Sequence, residues 1–273
     1  MRLSPVRPGL VRSLAPPLTA VVLAACGSAA RTSTVREPDF CRDSQPLAAC
    51  VVADRGRFTV AIGPSLISPT TTAGVSLTAT VTRDLTRIGR LLPGPAADIR
   101  LDAGAQVIPG TGVMGYTRAS GLVTATLDTH ESPTALRRTL RAWLLVALSH
   151  EVDHSVRILA GPGFGTSLLD QIVSEGVASA FDIEVQPNID LPWTHALTAR
   201  QEQEMWHRAR PQLNLAGLYD QWFFGGNGVP HWAAFQIGYH IARDYLARHP
   251  RSTAASIVNT PAAVILAGSH YRG

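Results

Sequence analysis

Apolar residues alternate with polar residues mainly in the first half of the chain and recur at helical spacing mainly in the second half. The alternating segments predict strands, at residues 57–62, 97–102, 113–116 and 122–127, the last two as a hairpin or as paired edge strands. The segments with a spacing near 3.6 residues predict helices, at residues 72–92, 135–159, 166–185, 198–210, 232–248 and 260–267. The C-terminal half is therefore expected to be mostly helical.

The helix predicted at 135–159 carries the sequence His150-Glu-Val-Asp-His154 near its end. Residues four apart share a helix face, so His150 and His154 point the same way, and Glu151 lies about 100° round the axis. Two imidazoles on one face can bind a divalent metal, and the neighbouring carboxylate can act on a water bound to that metal. Because residues 142–148 are almost wholly apolar, burial disfavours the alternative of two surface histidines beside a chance glutamate.

A catalytic metal site of this kind has a third protein ligand and an open position for water. A three-histidine version would need Gly at 157 and His at 160, and it is excluded because those positions hold Arg157 and Ala160. Glu175 is the best candidate, since it lies on the next predicted helix beside small residues that allow close helix packing. The other candidates that stay open are Glu184, Glu202, Glu204, His195, His207 and His231.

The N-terminus has the pattern of an export signal. Arginines precede an apolar stretch at 14–25 that is shorter than the roughly 20 residues needed to span a bilayer. The sequence Leu23-Ala-Ala-Cys26-Gly resembles the bacterial lipobox, in which the cysteine is acylated and becomes the mature N-terminus. We therefore expect a lipoprotein signal peptide at 1–25, lipidation at Cys26 and a location on the extracytoplasmic face of the cell membrane. A plain cleaved signal peptide is the alternative.

Lipidation of Cys26 would leave Cys41 and Cys50, which we expect to form a disulfide because an exported location permits oxidation. Two free thiols are the alternative. Residues 27–38 are small and polar, as in a flexible tether. The predicted organisation is a lipid-anchored tether with a disulfide loop at 26–56, followed by the folded domain at 57–273.

The charge balance gives no support for a nucleic-acid partner. The formal net charge is +4, but the predicted leader holds three arginines and no acidic residue, so its removal leaves +1. Apolar residues make up 45% and charged residues 16% of the chain, which excludes disorder over most of its length.

Several stretches together resemble the predicted zinc-dependent protease family of the YjaZ type, which are gluzincin-like peptidases with a His-His-Glu ligand set. They are the motif His150–His154, the run Leu168-Leu-Asp-Gln-Ile-Val-Ser-Glu-Gly-Val-Ala178, and the short motifs Trp222-Phe-Phe-Gly225, His231-Trp232 and Gly238-Tyr239. The resemblance extends from Arg57 to Tyr271. The chain departs from the family at Asp153, where zinc peptidases usually have an uncharged residue, and at Val177, which replaces leucine.

The resemblance implies an α+β, zincin-like fold with a small N-terminal twisted sheet, an active-site helix carrying the HExxH motif and a mostly helical C-terminal part. It implies a Zn2+-dependent hydrolase acting on peptides or proteins, with His150, His154 and Glu175 as zinc ligands. Glu151 would be the general base for a zinc-activated water. The developing oxyanion needs a further donor, for which Tyr239 and then His231 are the candidates. Residues that could support the ligands are Asp153, Ser179 and Asp182.

Two functions of different classes follow from these expectations. The leading one is an extracytoplasmic, membrane-tethered zinc metallopeptidase, with the strand near 113–116 placed to bind an extended peptide by edge addition. The alternative is a non-catalytic zinc-binding or interaction lipoprotein that retains a zincin fold. Glu151 favours the enzyme, because a binding module would have no need of it.

Overall fold

A five-stranded mixed sheet forms the first half of the structure, a computed structural model that describes residues 38–271. The strands are β1 (Ala49–Ala53), β2 (Phe58–Ile62), β3 (Ala97–Ala103), β4 (Val113–Thr117) and β5 (Val123–Leu127). Their spatial order is β1-β2-β3-β5-β4. The three central strands run parallel, whereas β1 and β4 are antiparallel edge strands. The predicted pairing of the segments 113–116 and 122–127 is confirmed.

Three α-helices of the described chain lie before strand β3, and eight follow β5. In the described residues they are α1 (Asp39–Asp43), α2 (Ile67–Thr72), α3 (Leu77–Leu91), α4 (Pro133–Arg138), α5 (Leu144–Ala160), α6 (Leu168–Val185), α7 (Ala199–Ala209), α8 (Tyr219–Phe223), α9 (Ala233–Arg248), α10 (Ala254–Ile257) and α11 (Ala262–Ser269). The predicted α+β class, with an active-site helix and a mostly helical C-terminal part, is confirmed.

The sheet buries one face, as the alternating pattern requires. Alternate residues of the central strands are buried, such as Phe58 and Val60 on β2 and Ile99 and Leu101 on β3. The apolar side of α3 and much of α5 pack against this part of the molecule. The helix with the two histidines is therefore fixed directly on the sheet, next to the edge strand β4.

The second helix of the site, α6, crosses α9 with the two backbones in contact. A Cβ atom added to Gly176 would lie 2.1 Å from the carbonyl carbon of Gly238, and one added to Gly238 would lie 2.0 Å from the carbonyl oxygen of Ile172. No side chain fits between these backbones. The close packing predicted from the small residues around Glu175 is thus confirmed, and α6 is held by contacts with α9 as well as with α5.

The predicted helix at 135–159 begins at Pro133, where the hydroxyl of Ser132 accepts a hydrogen bond from the backbone N–H of Ala135. It is not uniform, because residues Thr139–Trp143 form a π-helical turn before α5 begins. Single-turn π-helical segments are frequent at functional sites, and this one directly precedes the helix with the metal motif.

Sequence patterning missed strand β1, whose residues were assigned to the disulfide loop. The strand is short and lies at an edge, and its turn into β2 has positive φ angles at Asp54, Arg55 and Gly56, of which Arg55 is a residue type that does not signal such a turn. The sheet therefore extends into the segment 26–56 that the sequence assigned to tether and loop. Cys41 and Cys50 are bonded in the structure, as predicted, and join α1 to β1.

The predicted signal peptide, the lipidation site Cys26 and the tether up to residue 37 lie outside the described residues. Between residues 38 and 271, none of the helices has both the length and the apolar character needed to cross a membrane.

Candidate metal centre

Helices α5 and α6 bring three potential metal ligands to one point. His150 and His154 lie one turn apart on α5, and Glu175 lies on α6 opposite them. The Oε2 atom of Glu175 is 2.9 Å from Nε2 of His150 and 3.4 Å from Nε2 of His154. The ligand atoms of the three residues all lie within 4.8 Å of one another. The structure therefore brings together the three residues that the sequence predicted as ligands.

This donor set fits zinc. Two imidazole nitrogens and one carboxylate oxygen are a typical ligand set of catalytic zinc, and tetrahedral ligands at about 2.1 Å from the metal lie about 3.4 Å apart. The separations around Glu175 Oε2 are close to that value. Glu175 is only 3% exposed and His154 only 5%, and polar groups buried to this degree need a partner such as a cation. The arrangement leaves one side open toward a cleft.

The remaining candidates for the third ligand lie elsewhere in the described chain. Their partners are different: Glu184 with Ala254, Glu202 with His240, Glu204 with Arg200, His195 with Asp190, and His231 with Phe224. His207 is exposed on α7. None of these contacts involves His150 or His154.

Each of the three converging side chains has a second hydrogen-bonding partner. Nδ1 of His150 lies 2.9 Å from Oδ2 of the fully buried Asp182, and this contact turns Nε2 toward Glu175, where it can bind a metal once it has lost its proton. Ser149 donates to the other oxygen of Asp182 at 2.6 Å. The hydroxyl of Ser174 lies 3.3 Å from Nδ1 of His154. These contacts fix the orientation of the two imidazoles.

The three side chains suggested as supports have different surroundings. Asp182 holds His150, whereas the hydroxyl of Ser179 accepts a hydrogen bond from Nε1 of Trp193 at 3.1 Å. Asp153 is fully buried, and within residues 38–271 neither of its carboxylate oxygens has a hydrogen-bond partner. Burial raises the pKa of Asp153 to about 7, against the opposing effect of the nearby histidines.

Opposite charges dominate the electrostatics of the centre. Burial alone would raise the pKa of Glu175, but His154 and then His150 hold that pKa well below its usual range. Burial lowers the pKa of His150, yet the carboxylates of Asp182 and Glu175 outweigh it and hold the pKa well above its usual value. Metal binding at these residues therefore has to displace a proton from His150, and zinc affinity is expected to fall as the pH is lowered.

Glu151 lies beside the centre, between α5 and strand β4. The hydroxyl of Thr117 donates to Oε2 of Glu151 at 2.6 Å and to its backbone oxygen at 2.9 Å. A Cβ atom added to Gly115 would lie 2.4 Å from Cγ of Glu151, so only glycine leaves room for this carboxylate. Burial raises the pKa of Glu151, with His154 and His150 acting in the opposite direction.

Strand β4 presents backbone groups at its free edge. The N–H of Asp128 donates to the carbonyl of Gly112, which continues the β4–β5 register. In an antiparallel pair, alternate residues turn their N–H and C=O groups away from the partner strand. Gly115 and Thr117 are in that position, and both lie on the wall of the cleft. The edge next to Glu151 is therefore able to pair with another extended chain.

The cleft has a volume of about 920 Å³ and is lined by both histidines, Glu151, Glu175 and Tyr219. Tyr219, on α8, donates from its hydroxyl to Oε1 of Glu175 at 2.6 Å. Burial, and then the Glu175 carboxylate, raises the pKa of Tyr219, so this hydroxyl keeps its proton at neutral pH.

Neither of the two predicted oxyanion donors is among the residues that line the cleft. Tyr239 packs against the core under the guanidinium of Arg243, 5.6 Å from the ring centroid. His231 is exposed, and its Nδ1 lies 3.0 Å from the carbonyl of Phe224.

Tyr219 is the cleft residue that sequence reasoning missed. It lies on a helix of only five residues, which is too short to give a periodic signal. The signal for Tyr219 that the sequence offered was the run of aromatic residues that follows it. In the structure, the ring of Tyr219 stacks on one of them, Phe223, with centroids 4.3 Å apart.

Asp182→Asn is expected to weaken zinc binding by about 10- to 100-fold, because the charge that orients His150 and raises its basicity is lost. Competition with a chromophoric chelator measures this affinity. Asp153→Asn is the matched control, since Asp153 is equally buried but has no hydrogen bond to either histidine. Equal losses in the two variants would contradict the role assigned to Asp182.

Comparisons with known proteins identify the family of this chain. Residues 77–267 match the family model described as predicted Zn-dependent protease (DUF2268). No curated protein matches the chain. Among solved structures it is similar to an aminopeptidase N family protein from Idiomarina loihiensis, with 15% identity, a TM-score of 0.44 and coverage of 74% of this chain and 38% of that one. Because the family model spans well over half of the chain, this protein belongs to the predicted Zn-dependent protease family.

Proposed function

We propose that this protein is an extracytoplasmic, membrane-tethered zinc metallopeptidase that hydrolyses peptide bonds with Glu151 as its general base. The observation that carries the proposal is the convergence of His150, His154 and Glu175 in a cleft that is also lined by a free strand edge. Membership of a family of predicted Zn-dependent proteases supports the same reading.

The three ligands define what the metal contributes. When held by His150, His154 and Glu175, zinc supplies Lewis acidity, which polarises the scissile carbonyl and lowers the pKa of water in the open position. Asp182 and Ser174 keep the imidazoles directed at that point. The buried carboxylate of Glu175 supplies one negative charge to balance the cation.

Glu151 is placed to move protons. Thr117 holds its Oε2 atom, while its Oε1 atom lies beside Gly115 at the free edge where a substrate backbone would pair. A carboxylate with a raised pKa takes a proton from the attacking water more readily and can return it to the leaving amine. This role explains why a glutamate follows His150, which metal binding alone does not require.

The edge of β4 is placed to hold the substrate. An extended peptide that adds to this edge gains main-chain hydrogen bonds with Gly115 and Thr117 without any requirement on its side chains. The rim of the cleft is apolar, with Tyr116 62% exposed on one side and Phe224 53% exposed on the other. Such a site favours unfolded or extended segments, because a folded chain has no free backbone to offer.

Tyr219 is placed to stabilise the oxyanion. Its hydroxyl keeps its proton, lies in the cleft and donates to Glu175, and it would exchange this acceptor for the oxyanion of a bound substrate. The sequence suggested Tyr239 and His231 for this role, but neither is among the residues that line the cleft.

The membrane tether rests on the sequence. The lipobox-like stretch ending in Cys26, the arginine-containing leader and the Cys41–Cys50 disulfide support an exported lipoprotein.

Glu151→Gln is expected to bind about one zinc per chain, as the wild type does, but to lose peptide hydrolysis by about 10²- to 10⁴-fold. Metal analysis and cleavage of a broad quenched-peptide library measure the two properties on the same preparations. The exposed residue Glu204 provides the control variant, Glu204→Gln, which should behave as wild type. Undiminished hydrolysis by Glu151→Gln would exclude the general-base role. Zinc binding by the wild type without hydrolysis of any peptide would favour the non-catalytic lipoprotein.

Tyr219→Phe is expected to lower kcat by about 10²- to 10³-fold, because one oxyanion donor is removed. Tyr239→Phe should change kcat less than twofold, since its ring lies in the core beside Arg243. Steady-state kinetics and zinc content of both variants are the measurements. A loss of zinc affinity that accounts for the lost activity would show that Tyr219 only supports Glu175.

Cys26→Ser is expected to release the protein from the membrane fraction of a bacterial host, because the lipid attachment site is removed. Cell fractionation, with the mass of the mature N-terminal peptide, tests this. An unmodified Cys26, or a wild-type protein recovered free of membranes, would exclude the lipid tether and leave the peptidase proposal intact.

A further inference from the structure

One end of the cleft is formed by three tryptophans, Trp143, Trp193 and Trp232, which we term the tryptophan wall. The ring centroid of Trp193 lies 6.4 Å from that of Trp143 and 6.3 Å from that of Trp232. Trp193 donates its only polar hydrogen to Ser179, so no polar group of its indole is left unpaired. The apolar side chains of Ile108 and Val146 complete this end of the cleft.

The backbone of Trp232, one residue of the tryptophan wall, adopts an unfavourable conformation. Trp232 is the residue before α9 and has φ 65° and ψ 13°, a left-handed conformation that is unfavourable for a bulky side chain. It makes no side-chain cap on that helix, where Ser, Asp, Asn or Gly would be favoured. Strained residues of this kind cluster at ligand-binding sites, and the strain here keeps an indole in the cleft.

The charges around the cleft decide what this end can accept. Apart from the phenols of Tyr116 and Tyr219, the charged or ionisable residues that line the cleft are His150, Glu151, His154, Glu175 and Asp220. No arginine of the described chain is among the lining residues, and the sequence contains no lysine. Away from the metal centre, a carboxylate of a substrate would therefore find no cationic partner and would face aromatic rings, whereas an apolar side chain would be matched.

The direction of β4 decides which part of a peptide reaches the wall. Thr139, just before α5, donates to the carbonyl of Thr111, just before β4, and Thr117 at the end of β4 donates to Glu151. Strand and helix thus run in the same direction, and the start of β4 lies nearest to Trp143. Antiparallel addition is the more stable pairing, and it directs the C-terminal part of the peptide toward the start of β4.

We propose that the tryptophan wall binds a large apolar side chain on the substrate residue that follows the scissile bond. The inference rests on the proposed peptidase function and names its substrate class, which is peptides with an aromatic or large aliphatic residue at that position. Trp143, just before α5, precedes His150 by two helical turns, or about 10 Å, and Val146 precedes His150 by one turn. The tryptophan wall therefore begins within side-chain reach of the catalytic centre.

The test uses the zinc-loaded full chain and a mixture of random-sequence peptides, with cut bonds located by mass spectrometry. Phe, Tyr, Trp, Leu, Ile and Met are expected about 10- to 100-fold more often than Asp, Glu or Ala directly after the cut. No comparable preference is expected directly before it. Cleavage without a preference after the cut, or with the preference before it, overturns the proposal and leaves the peptidase function standing. Failure to cut any peptide overturns both.

Two variants test the residues themselves. Trp143→Ala is expected to lower kcat/KM for a peptide with Phe after the cut by about 10-fold or more, and to change it little for a peptide with Ala there. Ile108→Arg, at a half-buried position, is expected to favour Asp and Glu over Phe, whereas the exposed Val264→Arg on α11 should keep the wild-type preference. Equal losses for all peptides with Trp143→Ala, or an unchanged preference in Ile108→Arg, would contradict the assignment. The wild-type cleavage statistics decide the matter if either variant fails to fold.

Discussion

The convergence of two imidazoles on the buried carboxylate of Glu175 is the interaction on which the rest of the site depends. It joins α5 to α6 at one point, and it is tolerable in a buried environment because a cation can balance the carboxylate. The surrounding structure keeps this point fixed. The sheet supports α5, and the contact between Gly176 and Gly238 holds α6 against α9. Asp182 then orients His150 without adding a ligand.

Much of this arrangement could be predicted from the sequence because it follows from periodic patterns. The spacing of His150 and His154 places both on one helix face, and the small residues around Glu175 indicate a close helix crossing. The alternating segments predict the central strands. Burial of one face of the sheet produces the alternation, and the extensive burial of α5 and α6 makes their apolar pattern strong, which is why the elements that carry the ligands were the easiest to predict.

The parts that could not be predicted depend on contacts between residues far apart in sequence. Tyr219 lies on a single helical turn and reaches the cleft only through the packing of α8. Periodicity showed that Tyr239 is on an amphipathic helix but did not show which part of α9 faces the cleft. The edge strand β1 was missed because a strand of five residues that includes Cys50 gives little pattern. Gly115 has a role only because β4 passes Glu151 closely.

Two parts of the cleft are suited to different parts of a substrate, its backbone and one of its side chains. The edge of β4 offers backbone hydrogen bonds to any extended chain, and the tryptophan wall offers apolar surface to one side chain. General binding and selectivity are thus supplied by different residues, and both are aligned with α5, which carries Glu151. The same alignment gives the cleft a direction, so the two sides of a scissile bond meet different chemistry.

The most direct test of the central claim compares the zinc affinity of Glu175→Ala with that of Glu184→Ala. Both glutamates lie on α6, but Glu184 accepts a hydrogen bond from the backbone of Ala254 and lies away from the histidines. The account predicts a loss of orders of magnitude in zinc affinity for Glu175→Ala and wild-type affinity for Glu184→Ala. Unchanged affinity in Glu175→Ala would contradict the assignment of the metal centre.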